Sequence, residues 1–129
     1  MPYIANLICS EGAEHNELGL VLKQPITRVF LTNFPNNYTF FVSFSIVNVD
    51  RDIQENDYVS IYLFNDQMES IFETDKLPIP LPEDNEESLD NFTASLLLSN
   101  VQFKNEGLYQ VRVDSNLADS SSTYFTVSS

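Results

Sequence analysis

A period-two alternation of side chains runs through Tyr38-Thr39-Phe40-Phe41-Val42-Ser43-Phe44-Ser45-Ile46-Val47. One face of this segment carries Tyr38, Phe40, Val42, Phe44 and Ile46, and the other carries Thr39, Ser43 and Ser45. Successive side chains of a β-strand point to opposite faces, so this pattern is typical of a strand with one buried face. The segment therefore predicts a β-strand whose aromatic and aliphatic face lies in a core.

The same alternation recurs along the rest of the chain. It predicts strands over 58–63, 92–99, 109–113 and 124–128, with a hairpin turn at Ser115-Asn116. Shorter strands are expected over 4–9, 18–22 and 26–31, separated at Glu11-Gly12 and at Lys23-Gln24-Pro25. Residues 69–73 fit either a hairpin partner or one helical turn, and we favour the strand. We expect a single domain over residues 1–129, an antiparallel, immunoglobulin-like β-sandwich of seven or eight strands.

Composition and charge limit the classes of partner. The 129 residues include 19 acidic and 6 basic side chains, for a formal net charge of −13. Such a surface repels phosphate backbones and anionic lipid headgroups, so direct binding to nucleic acid or to membranes is not expected. Solubility alone is sufficient to explain the acidity, and as a functional feature it indicates a protein partner with a basic surface. An alternative is an acidic inhibitor that mimics nucleic acid and blocks a basic enzyme, as mobile elements can encode.

The cysteine content and the start of the chain bear on the compartment. Cys9 is the only cysteine, so no intramolecular disulfide can form, and a lone thiol is typical of a reducing compartment. The first residues lack the basic and apolar regions of a signal peptide. We therefore expect a cytoplasmic protein.

The segment Glu106-Gly107-Leu108-Tyr109 resembles the corner that opens the penultimate strand of immunoglobulin-like domains. The resemblance implies that Gly107 permits a sharp backbone entry and that the Tyr109 hydroxyl bonds back to the preceding turn. Val111 stands where antibody domains have a cysteine, and the chain has no tryptophan, so it departs from the antibody type. Further motifs precede this corner in the order Asn6-Leu7-Ile8, Leu18-Gly19-Leu20, Val29-Phe30-Leu31 and Phe34-Pro35, and the corner itself reads Phe103-x-x-Glu106-Gly107-x-Tyr109. From end to end, this order of motifs resembles an uncharacterised bacterial family of single-domain β-sandwich proteins with no assigned activity.

No residue pattern predicts a catalytic site, and we expect neither an enzyme nor a cofactor. His15 and Cys9 lack the paired spacing of zinc ligands. The alternating prolines of 77–82 predict a stiff connection between sheets, or else a ligand for a proline-binding groove.

Acidic side chains are concentrated in two loops. Calcium binding by these loops is an alternative, although Arg51 among the carboxylates argues against it. The first hypothesis is a protein-binding or scaffolding module that uses these acidic loops, and exposed Phe41 or Tyr62 would also be consistent with a homodimer. The residues proposed to contact the partner are Asp50, Asp52, Asp57, Glu83, Asp84, Glu86 and Glu87.

Overall fold

The structure is a computed structural model that describes residues 1–17, 19–79 and 91–129. These residues form ten β-strands, more than the seven or eight expected. Over the same described residues, no helix is long and apolar enough to cross a membrane. The strands are β1 (Tyr3–Asn16), β2 (Gly19–Pro25), β3 (Arg28–Phe30), β4 (Asn36–Val47), β5 (Tyr58–Phe64), β6 (Ser70–Glu73), β7 (Leu77–Pro78), β8 (Phe92–Phe103), β9 (Gly107–Ser115) and β10 (Ser121–Ser128).

Two sheets pack face to face as a sandwich. The first has the strand order β2-β1-β4-β8, and the second has the order β3-β10-β9-β5-β6 with β7 also paired to β5. The pairings are antiparallel except that of β3 with β10, which is parallel. The hairpin between β9 and β10 and the pairing of β6 with β5 confirm two of the expectations from sequence.

The core lies between the sheets and is built from the predicted inward faces. Phe40 of β4 meets Phe125 of β10 edge to face, with 5.5 Å between ring centroids, and Phe103 meets Tyr109 in the same manner at 4.9 Å. Edge-to-face contact is a favoured arrangement for aromatic rings. The alternating segments therefore bury the faces expected of them.

The first hairpin differs from the expectation. Glu11-Gly12 is not a break, because β1 continues through it and pairs with β2 as far as Asn16↔Gly19. Gly12 lies opposite Lys23, and a Cβ placed on it would be 3.3 Å from the Lys23 Cβ. Glycine here reflects a close approach of two strands rather than a turn.

A bulge in β8 also escaped the alternation pattern. Asn100 has a positive φ of 53°, and its backbone N–H donates to Thr39 Oγ1 at 2.8 Å. The register between β4 and β8 shifts at this point, so the buried side chains change from Leu98 to Val101 and Phe103. A bulge changes which alternate side chains face the core. The strict alternation therefore predicted a strand that ends at residue 99, whereas β8 continues to Phe103.

Candidate functional site

The loop between β4 and β5, one of the two predicted acidic loops, folds around a buried carboxylate. Asp57 is only 2% exposed, and both of its oxygens accept hydrogen bonds from Arg51, Nη1 to Oδ2 at 2.8 Å and Nη2 to Oδ1 at 2.6 Å. The paired geometry is the strong, bidentate form of the arginine–carboxylate interaction. Arg51 therefore neutralises Asp57 instead of leaving it to a partner.

Two further donors complete the shell of Asp57. The backbone N–H of Gln54 donates to Oδ2 at 2.6 Å, and Nδ2 of Asn116, in the β9–β10 turn, donates to Oδ1 at 2.7 Å. The hydrogen bonds from Arg51, aided by those from Gln54 and Asn116, hold the pKa of Asp57 far below its usual range in spite of burial. Asp57 thus ties two loops together at one end of the sandwich.

The residues proposed to contact the partner differ in their exposure and in whether the structure describes them. Asp50 and Asp52 are exposed on the same loop, whereas Asp57 is withdrawn from the surface. Glu83, Asp84, Glu86 and Glu87 lie outside the described residues, as do Pro80, Leu81 and Pro82. Leu77–Pro78 pairs with β5, and Ile79 is buried, so this first half of the proline segment is part of the fold.

The corner residues lie at the opposite end of the sandwich. The Tyr109 hydroxyl donates to the carbonyl oxygen of Asn105 at 2.6 Å, which is the bond that the resemblance implies. Gly107 has a φ of +148°, and a Cβ on it would lie 3.1 Å from Oδ2 of Asp66. Gly107 therefore serves both the backbone conformation and the close approach of the β5–β6 turn.

A polar cleft of about 560 Å³ lies beside this corner. Its walls include Asp66, Glu69 and Lys104, together with Glu106, which accepts a hydrogen bond from the Ser129 backbone N–H at 2.7 Å. Over the residues that the structure describes, no group of three or more His, Cys, Asp or Glu side chains converges as a metal site would require. The Asp57 cluster in particular is filled by Arg51, and calcium would have to displace that cation.

The outer face of the six-stranded sheet carries an aromatic surface of which the sequence indicated only Tyr62. On β5, Tyr62 and Phe64 stack with their ring centroids 6.1 Å apart, and the Arg112 guanidinium carbon lies 4.9 Å from each centroid. Arg112 also pairs with Asp114, with Nε 3.0 Å from Oδ1 as an ion pair and Nη2 donating to Oδ2 at 3.3 Å. The guanidinium is thus fixed over two aromatic rings.

Exposed apolar side chains continue this surface across the neighbouring strands. Gln110 lies opposite both Phe64 and Tyr124, which places Tyr124 on the same face. Leu108, Tyr124 and Phe30 are 51%, 54% and 71% exposed. We call this set (Phe30, Tyr62, Phe64, Leu108, Arg112 and Tyr124) the aromatic face.

The charge distribution around the aromatic face is uneven. Asp114 is the only acidic residue within β3, β5, β9 and β10, and it is already paired with Arg112. Exposed carboxylates lie instead on β6 and on the turns before and after it, namely Asp66, Glu69, Glu73 and Asp75. An apolar centre with a fixed cation is therefore bordered on one side by negative charge.

No protein-family model matches the chain, and a search of curated proteins finds no match.

Proposed function

We propose that the chain is a non-catalytic protein-binding module, and that the aromatic face is its binding surface. The observation that carries the proposal is the fixed stack of Arg112 on Tyr62 and Phe64, surrounded by exposed Leu108 and Tyr124. Tyrosine, phenylalanine and arginine are enriched at the centres of protein interfaces, and tyrosine and arginine are common among the residues that dominate binding energy. Held side chains also lose little conformational entropy on binding.

The partner that fits this surface is a protein with an apolar patch beside basic side chains. Glu73 and its acidic neighbours lie where the edge of such an interface would be, and edge charges mainly accelerate encounter. The net charge of −13 acts in the same direction at longer range. In this proposal Asp50 and Asp52 steer the partner from a distance, while Asp57 maintains the loop that carries them.

We further propose an immunoglobulin-like topology and membership of the bacterial family described above. Two observations support the topology. The Tyr109 hydroxyl bond to Asn105 matches the corner of that fold, and the chain passes from β2 in one sheet to β3 beside the last strand of the other. The family proposal rests on the order of the sequence motifs alone.

The test begins with affinity capture from a host lysate and continues with the captured protein in purified form. Binding would be measured by calorimetry for the wild type, for Tyr124→Glu with Leu108→Glu, and for Tyr3→Glu. Tyr3 is a similarly exposed tyrosine on β1, in the other sheet, so Tyr3→Glu controls for the lost ring and for one of the two added charges. We expect the double variant to lose at least about tenfold in affinity, which corresponds to roughly 1.4 kcal/mol, and Tyr3→Glu to bind as the wild type does.

Three outcomes would contradict the proposal. If the double variant bound the partner as tightly as the wild type does, the aromatic face would not be the interface. A loss of binding only when Asp50 and Asp52 are neutralised would assign the interface to the acidic loop. Capture of a nucleic-acid enzyme that single-stranded or double-stranded DNA displaces would favour the acidic inhibitor instead.

A further inference from the structure

The last strand of the four-stranded sheet has an unusual composition for a strand at an edge. β8 reads Phe92-Thr93-Ala94-Ser95-Leu96-Leu97-Leu98-Ser99-Asn100-Val101-Gln102-Phe103, with no charged residue and no proline in twelve positions. Among the described residues it forms ladder pairs only with β4. An edge strand turns alternate backbone N–H and C=O groups away from its one neighbour, which makes it a template for another strand.

The other edges of the two sheets are protected in recognised ways. β2 carries Lys23 and ends at Pro25, β3 is three residues long and carries Arg28, and β6 is four residues long and ends at Glu73. Charges, prolines and shortness are the usual means by which proteins prevent edge-to-edge pairing. β8 has only the bulge at Asn100, which leaves the seven residues from Phe92 to Leu98 regular.

We propose that two copies of the chain associate through β8, with Phe92–Leu98 of each copy paired antiparallel about a two-fold axis. The two four-stranded sheets would then form one continuous sheet of eight strands. We infer a second copy as the occupant because the regular part of β8 carries no charged side chain. Two molecules of net charge −13 repel each other where carboxylates meet, and pairing through this segment brings no carboxylates together.

Side-chain burial supports the same arrangement. Phe92, Ala94 and Leu96 point towards the core but are only half-buried, whereas Phe40, Val42 and Phe44 on the neighbouring strand are fully buried. A paired copy would cover the partly buried set. On the outer face, Leu97 is 52% exposed and would lie along the junction. The aromatic face is on the opposite sheet, so this inference does not depend on the proposed function.

Association would be measured by sedimentation of the intact chain from about 1 µM to about 1 mM, a range that covers weak and moderate dissociation constants. We expect the mass to rise from 14.7 kDa towards twice that value. Added salt should strengthen association, because it screens the repulsion between two acidic molecules.

Two matched variants identify the surface. Leu97→Lys places a cation on the edge, and Met68→Lys adds the same charge at a 61% exposed methionine in the β5–β6 turn, outside both β8 and the aromatic face. Both change the net charge equally. We expect Leu97→Lys to raise the concentration of half-association at least about tenfold and Met68→Lys to leave it near the wild-type value. Circular dichroism would establish that both variants are folded.

Hydrogen exchange of the β8 amides provides the second readout. The amides of Phe92–Leu98 that point away from β4 should exchange rapidly in dilute protein and become protected as the mass doubles. A chain that stays monomeric throughout the range overturns the proposal. So does equal weakening by both lysine variants, or protection of these amides in the monomer, since that would mean the edge is already covered.

Discussion

Asp57 and Arg51 form a two-bond ion pair in which the carboxylate is buried and the guanidinium is partly exposed, with side-chain exposures of 1% and 44%. The pair lies in a loop that by composition looks like a solvated acidic segment. The geometry of the pair shows that Asp57, the last acidic residue of the loop, contributes to loop structure, and that the solvent-facing charge of this loop comes from the other acidic residues.

Removal of the buried carboxylate should destabilise the fold. We expect Asp57→Ala to lower the free energy of unfolding by about 2 kcal/mol, because the backbone N–H of Gln54 and the amide of Asn116 lose their acceptor. Asp52→Ala, on the exposed part of the same loop, is the matched control and should change stability by less than about 0.5 kcal/mol. Urea unfolding at neutral pH measures both, and equal values for the two variants would argue against a structural role for Asp57.

The same carboxylate should give the fold an acid-dependent component of stability. The pKa of Asp57 is lower in the folded chain than its ordinary value of 3.8, so its contribution is present in full above that value and is lost as the pH falls below it. The stability difference between wild type and Asp57→Asn should therefore be constant from pH 7 to about pH 5 and should shrink below about pH 4. A difference that persists unchanged at the lowest pH, or that shrinks on the alkaline side, would contradict the assignment.

Gly107 should not tolerate a side chain. We expect Gly107→Ala to destabilise the fold by more than about 1 kcal/mol, because its φ of +148° disfavours a Cβ and because that Cβ would lie 3.1 Å from Asp66 Oδ2. The two causes can be separated with the double variant Gly107→Ala with Asp66→Ala, compared with Asp66→Ala alone. The contact contribution should disappear in the double variant, while the backbone contribution remains. Thermal unfolding of the four proteins gives the comparison.

Cys9 should be inert in the folded chain. Its thiol lies on the inner side of β1, and burial raises its pKa to about 12, so at neutral pH it is both inaccessible and protonated. We expect alkylation to proceed only through unfolding, with a rate that increases in parallel with the unfolded fraction as urea is added. Rapid alkylation under native conditions would mean that β1 opens locally.

The sequence predicted what depends on local periodicity. The inward faces of β4, β5, β9 and β10 are confirmed, because each side chain's face follows from its position along one strand. The bulge at Asn100 and the pairing of Gly12 with Lys23 could not be predicted, since both depend on which strands become neighbours. The one local signal of the bulge is the pair Ser99-Asn100, after which apolar and polar residues alternate again from Val101 to Phe103.

Apart from Tyr62, the aromatic face was missed for a similar reason. Tyr62 and Arg112 are 50 positions apart, and only the register of β5 against β9 places them side by side. The acidic loop was conspicuous because its charges are contiguous in sequence. However, the position of charges next to one another in the sequence does not show which of them form ion pairs. Arg51, whose presence argued against calcium binding, donates both hydrogen bonds of the ion pair to the Asp57 carboxylate.

The passage from β2 to β3 has a consequence for how the protein unfolds. Only Ile26 and Thr27 separate a strand hydrogen-bonded to β1 in one sheet from a strand hydrogen-bonded to β10 in the other, and Ile26 N–H donates to Cys9 while Thr27 accepts from Thr126. Unfolding of either sheet from this edge would therefore also break hydrogen bonds of the other sheet. The two layers are therefore expected to melt together as one cooperative unit, and no species with a single intact sheet should accumulate.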